Sequence, residues 1–256
     1  MRMYDICRYK MTDSGSFAAL SLIALLTFGC SNVAPAYEYT NQAVQESNVA
    51  QLLTEAQTTQ QVDGLFRQAN SLLDAHSYKN AIETYDKVLK IRPNKAEAWI
   101  NRGNALTVLQ RNEDAITSYD NAVKINPRLS TAWFNRGNVL SGLKRYTEAL
   151  ASYDKSIAIE PDKEEAWINR GIALAKLNRY TEAIASYDKA IAINPKKHLT
   201  YYNKACAYAL QNKHEEAIKN LQAAIKLQPA KYKTLAKSDT DFTALRQDKR
   251  FQDLLN

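Results

Sequence analysis

The chain is poor in the residues that punctuate an all-β protein: its 256 residues hold only seven glycines and six prolines, too few for the turns that many short strands require. A helical protein is the expectation. Three cysteines, Cys7, Cys30 and Cys206, are too few and too scattered for a disulfide framework or a Cys-rich zinc site. The three histidines, His76, His198 and His214, fall in no metal or nucleophile motif. There is no glycine-rich phosphate loop, no carboxylate pair with a supporting base and no Ser or Cys in a nucleophile setting. The inventory therefore points away from an enzyme and names no catalytic residue, metal ligand or cofactor. Cys206 reads as a small buried filler. Long hydrophobic runs are missing too, since the twelve residues "FAALSLIALLTF" of Phe17 to Phe28 fall short of the roughly 20 that span a bilayer.

That run has a different reading. Arg2, Arg8 and Lys10 precede it and small residues follow, which is the layout of an export signal. "TFGC" ending at Cys30 resembles a bacterial lipoprotein box, with the signal occupying 1–29 and Cys30 the candidate for lipidation. Ala34-Pro35-Ala36 offers an alternative cleavage after residue 36. Residues 30–61 then form a polar tether and a short leading helix, with Val44, Val49, Leu52, Leu53 and Ala56 at roughly helical spacing. Either route places the mature protein outside the cytoplasm, in a bacterial periplasm or on a membrane.

The formal net charge of +7 hints at nucleic acid until it is located. The first 37 residues carry roughly +1, residues 38 to 195 balance, and the stretch from Lys196 carries roughly +6. A localised basic end on an exported chain makes nucleic acid an improbable partner. Acidic protein or anionic lipid headgroups would suit it better, and a plain solvated surface explains it most simply.

What the chain does have is a period. Pro93, Pro127, Pro161, Pro195 and Pro229 follow one another at intervals of 34 residues, and the segment "WINRG" at Trp99 returns as "WFNRG" at Trp133 and "WINRG" at Trp167. In one block, Trp99, Gly103 and Leu106 fall on one stripe of a helix. Ala115, Tyr119 and Ala122 fall on one face of a second helix that stops before Pro127. Each block is thus an antiparallel helix hairpin. A glycine inside a helix costs about 1 kcal/mol relative to alanine, so Gly103, Gly137 and Gly171 imply close approach, for which Ala115, Ala149 and Ala183 supply the small surface.

The order Trp, Gly, Leu, Ala, Tyr, Ala, Pro in a 34-residue unit resembles the tetratricopeptide repeat. The resemblance implies an all-α, right-handed superhelical solenoid of five hairpins, 62–95, 96–129, 130–163, 164–197 and 198–231, closed by a helical cap over 232–256. The first and last blocks are divergent, with Leu65 and Tyr201 in place of Trp, as terminal repeats often are.

Helical geometry separates the Asn and Arg of the signature. At 100° per residue, Asn101, Asn135, Asn169 and Asn203 turn away from their own hairpins onto the concave face, and Asn104, Phe134, Asn138, Ile168 and Tyr202 share that sector. The resemblance implies a groove for an extended segment of a protein partner, whose backbone the Asn amides could meet. The same amides could instead bond to neighbouring repeats and merely space the helices. The family's carboxylate clamp does not fit, because Glu97, Thr131 and Glu165 stand where cations would be needed. Arg102, Arg136, Arg170 and the equivalent Lys204 lie beside the buried stripe and need anions. Pairing each with the aspartate of the preceding block joins Asp86 to Arg102, Asp120 to Arg136, Asp154 to Arg170 and Asp188 to Lys204, and strands no charge.

The sequence expectation is therefore a non-catalytic interaction scaffold serving an envelope or membrane complex. Its alternative is a mainly structural envelope lipoprotein that acts through its convex face or basic end.

Overall fold

The computed structural model describes residues 36–256, with side chains continuous from 47 onward. The apolar run, Cys30 and the Ala34–Pro35 step lie outside the described residues. No strand occurs among the residues described. The chain divides into two units, one ending at Arg67 and one running from Gln68 to Asn256.

Helix α1 runs without a break over Ala36–Asp74, so the expected leading helix and the first helix of block one are a single element. The short leading helix expected within 30–61 is thus part of a longer element, because nothing near residue 61 stops a helix. Between Thr54 and Asn70 there is no proline, and the one glycine, Gly64, sits at helical φ. Within the described residues no helix is long and apolar enough to cross a membrane.

The second unit is a stack of hairpins. The end of α1 pairs with α2 (Tyr78–Ile91), then α3 (Ala96–Val108) with α4 (Asn112–Ile125), α5 (Ser130–Gly142) with α6 (Tyr146–Ile159), α7 (Glu164–Lys176) with α8 (Tyr180–Ile193), and α9 (His198–Leu210) with α10 (His214–Leu227). Three devices, each repeated, build a hairpin. The first is the turn: His76, Gln110, Lys144, Asn178 and Asn212 all take φ near +59°. In the second block Arg111 N–H bonds to Leu106 O at 2.9 Å and Gln110 N–H to Thr107 O at 3.0 Å, a left-handed helix cap that satisfies the last carbonyls. Non-glycine residues bear the left-handed conformation at a cost of about 1 kcal/mol each.

The second device is the proline. The residue before it is extended, as at Arg92 with φ −131° and ψ 81°, because the ring excludes helical backbone there. The proline carbonyl then receives the indole N–H of the next helix: Trp99 to Pro93 at 2.8 Å, Trp133 to Pro127 at 3.0 Å and Trp167 to Pro161 at 2.8 Å. Tyr201 makes the equivalent bond to Pro195 with its hydroxyl. Pro229 is used differently, as the first residue of α11 (Pro229–Ser238), a position where its missing N–H costs nothing.

The third device is the glycine, and its partner differs from the expected alanine. A Cβ at Gly103, Gly137 or Gly171 would lie 2.7, 2.6 or 2.4 Å from the ring of Tyr119, Tyr153 or Tyr187. It is the second-helix tyrosine, essentially buried in each case, that needs the space. Block one carries Ala69 against Tyr85, so the exclusion is a matter of degree. Block five removes the ring, with Leu221 in the tyrosine position, and there Ala205 suffices.

After α11 come a 3-10 turn over Thr240–Leu245 and α12 (Lys249–Leu255). Phe242, Leu245, Phe251 and Leu255 are buried against Tyr202, Ala205, Ala209 and Leu221 of the fifth hairpin. These elements thus close the apolar flank that a sixth repeat would otherwise cover. Leu235 of α11, in contrast, stays 42% exposed.

Candidate functional site

The side chains that join one hairpin to the next also shape the concave face. Arg102 Nε lies 2.7 Å from Asp86 Oδ1, Arg136 Nε 2.6 Å from Asp120 Oδ1, and Arg170 Nε 2.7 Å from Asp154 Oδ1, while Lys204 Nζ meets Asp188 Oδ1. In every case the aspartate belongs to the preceding repeat. The guanidinium has a second partner that sequence reasoning missed. Its Nη1 donates to Ser118, Ser152 or Ser186 of its own repeat at 2.8, 2.7 and 2.6 Å, and it sits 5.7 to 6.0 Å from its own Trp ring. Those serines recur one residue before each tyrosine, so the signal was available in the same alignment.

The asparagines form a second joint. Asn101 Nδ2 donates to Asn70 Oδ1 at 3.0 Å, Asn135 to Asn104 at 2.9 Å and Asn169 to Asn138 at 2.8 Å. Each accepting oxygen also receives a tyrosine hydroxyl: Tyr85 on Asn70, Tyr119 on Asn104 and Tyr153 on Asn138. Burial pushes these three phenols up to about 12, so they remain protonated donors at any ordinary pH. One N–H of each Asn therefore spaces the repeats, and the amides are half-committed. The Nδ2 groups of Asn104 and Asn138 and the Oδ1 groups of Asn135 and Asn169 are left for the groove.

The ladder stops at the fourth repeat. Ile172 stands 34 residues after Asn138, and the Nδ2 of Asn203 is buried without a hydrogen-bond partner. Two other expected groove residues are placed elsewhere. Ile168 is 3% exposed, and Tyr202 lies under the cap, stacked on Tyr232 at 4.8 Å and donating its hydroxyl to Asp239 at 2.7 Å. Phe134 is only partly buried, with Tyr153 of its own hairpin 6.1 Å away and Lys163 Nζ, at the end of the same repeat, 5.3 Å from its ring. Ile100 and Ile168, which follow the Trp positions, are buried and so belong to the packed core and not to the groove surface. Helical angle alone gave their direction and not what packs over them.

What the concave face does offer is a recess of about 460 Å³ where the second and third hairpins meet, lined among others by Asn104, Thr107, Asn135, Asn138 and Gly142. A smaller one of about 180 Å³ follows, lined by Asn138, Ser141, Tyr153, Asn169 and Ile172. Both are lined by uncharged residues, with amide and hydroxyl groups set among apolar surface.

With the repeats, the inter-repeat joints and the cap in place, comparison with known families is decisive. A tetratricopeptide-repeat profile matches residues 130–163, 164–197 and 198–231, and a second profile of the same description matches 66–129. The chain belongs to the tetratricopeptide-repeat family. No curated protein sequence gives a significant match. Solved structures of the same architecture include YrrB, described as a TPR protein with an unusual peptide-binding site. It is 23% identical, covered over 98% of its length against 71% of this chain, with a TM-score of 0.64. MamA is 24% identical, with 96% and 64% covered and a TM-score of 0.62. A MamA fragment from Desulfovibrio magneticus is 20% identical, with 96% and 66% covered and a TM-score of 0.63. At such identities the likeness concerns the tetratricopeptide fold alone.

One departure from the repeat pattern lies at the end of the tetratricopeptide array. Cys206 Sγ and carboxylate oxygens of Asp239 and Asp241 come within 4.8 Å of one another, a set that could hold a metal ion. Its members already have structural roles. Asp239 caps the 3-10 turn through Asp241 N–H at 3.0 Å and accepts the Tyr202 hydroxyl. Burial first, then the two aspartates beside it, push the Cys206 thiol far above its ordinary value, which disfavours the thiolate.

Proposed function

We propose that this tetratricopeptide protein is a non-catalytic scaffold that holds an extended segment of a protein partner in the groove of its first helices. The observation that carries this reading is the half-committed Asn ladder. At each of the joints Asn104–Asn135 and Asn138–Asn169 one amide donor and one amide acceptor remain after the repeats are spaced, which is the complement of a peptide backbone's C=O and N–H. The peptide-binding site of the similarly folded YrrB supports the same class of partner. The signal-like start of the sequence and Cys30 support a role outside the cytoplasm, in assembly or maintenance of an envelope or membrane complex, with a lipid tether through Cys30.

A second reading gives the groove no ligand and assigns the work to the basic end of an envelope lipoprotein. Lys219, Lys226, Lys231 and Lys237 are exposed there, which suits an anionic surface.

A photo-crosslinking amino acid placed in the living cell at Val108, which is 55% exposed on the first-helix side, and separately at Lys237 separates the two. The scaffold reading expects a discrete protein adduct from position 108. Adducts from 237 alone would favour the second. Radioactive fatty-acid labelling of the wild type and of Cys30→Ser tests the anchor, and label retained in the variant would remove it.

A further inference from the structure

Gly142 has no structural reason to be glycine. It is the last residue of α5, its φ is not positive, and a Cβ built on it meets no atom within 4 Å. This sets it apart from Gly103, Gly137 and Gly171, which make room for tyrosine rings. Glycine is a poor helix former, and the other blocks put Asp74, Val108, Lys176 and Leu210 at the same register. Only here among these five positions is the side chain absent, and here the concave face opens into the 460 Å³ recess that Gly142 itself lines. At the next joint, where Ile172 replaces Asn and Lys176 replaces Gly, the opening shrinks to about 180 Å³.

We infer that the recess at Gly142 is the specificity pocket of the groove and receives one uncharged polar side chain, an amide or a hydroxyl, from the bound segment. This rests on the groove reading above and adds which residue of the partner is selected. The recess has unused donors, because the Oδ1 atoms of Asn104 and Asn138 are each filled twice by a neighbouring Asn and a tyrosine hydroxyl, which leaves both Nδ2 groups to donate. Asn135 Oδ1 supplies an acceptor beside them. An amide or hydroxyl matches that mixture. A charged side chain would find no counter-charge among the lining residues, so its charge would gain nothing over water. A purely apolar one would leave the amides unpaired.

The test uses the full chain and a displayed library of random dodecapeptides, selected in parallel on the wild type and on Gly142→Leu, which copies the residue at 210. The wild type is expected to select peptides sharing one Asn, Gln, Ser or Thr. Gly142→Leu should bind those peptides at least ten-fold more weakly while melting no lower than the wild type, since a better helix former has replaced glycine. That combination cannot come from misfolding. Binding of the same peptides by Gly142→Leu within two-fold would overturn the pocket and leave the groove reading standing. A shared Asp, Glu, Lys or Arg would overturn the uncharged class. If the wild type selects no peptide at all, the groove reading fails together with the pocket.

Discussion

Arg136 reaches across the joint between two hairpins to lie 2.6 Å from Asp120 of the hairpin before, while its other arm holds Ser152 of its own. Its side chain is 18% exposed and that of Asp120 49%, so water weakens the ionic part to about 1 kcal/mol or less. The larger loss on truncation comes from Ser152 and from the Trp133 face that the guanidinium covers. Arg136→Ala is expected to destabilise the protein by about 1–3 kcal/mol. In chemical denaturation, the double-mutant cycle with Asp120→Ala should show coupling of about 0.5–1 kcal/mol. A coupling of zero would mean that this pair does not hold the register.

Gly137 tests the packing inside a hairpin. A methyl there would sit 2.6 Å from the Tyr153 ring, and overpacking of this kind costs about 1–3 kcal/mol. Gly137→Ala should lower stability by that amount. Adding Tyr153→Leu, which recreates the Ala205 and Leu221 pair of block five, should recover part of it. A double variant no better than the sum of the singles would place the strain elsewhere.

Lys144 carries a φ of +60° in the turn between α5 and α6. Lys144→Gly is expected to raise stability by up to about 1 kcal/mol, because relief of the left-handed strain outweighs the added freedom of the unfolded chain. Thermal melting checks it, and a fall would show that the lysine side chain holds the turn.

His198 joins the fifth hairpin to the cap by accepting the Tyr232 hydroxyl at Nδ1 or donating to it. Burial first, then the charges of Lys231 and Lys197, push its pKa below the ordinary histidine value. The unfolded chain therefore takes up the proton more readily. The stabilising contribution is complete above the unfolded pKa of about 6.5 and is lost as pH falls through the lower folded value. Between pH 7.5 and 5 the wild type should lose more of its melting temperature than His198→Gln does. An equal loss in both would remove His198 from the account.

How much of this was legible in the sequence depends on how many neighbours a residue answers to. The link of Arg102 to Asp86 could be read because the alternative register leaves charges stranded, an argument that needs only the 34-residue period. Asn101 could be read halfway. Its direction follows from the helix, but its bond to Asn70 depends on a second Asn standing one repeat earlier at a different helical position. Ile168 and Tyr202 were misplaced because a helical angle says nothing of what packs above it, and for Tyr202 that neighbour is the irregular cap. The length of α1 was not legible because the apolar spacing from Val44 to Ala56 gives a helix without saying where it ends, and no proline stands between it and the first repeat to stop it. Gly142 was missed because it hides among glycines that do have packing reasons.

The central claim is that the amides left over from the Asn ladder hold a bound chain. The most direct measurement follows the side-chain NH₂ signals of Asn104, Asn135, Asn138 and Asn169 by two-dimensional NMR while the peptide that the wild type selects most strongly is titrated in. The account predicts that these signals shift together and saturate with the peptide, while the backbone signals of Lys226, Lys231 and Lys237 stay in place. Unmoved Asn signals, with shifts confined to the basic end, would contradict it.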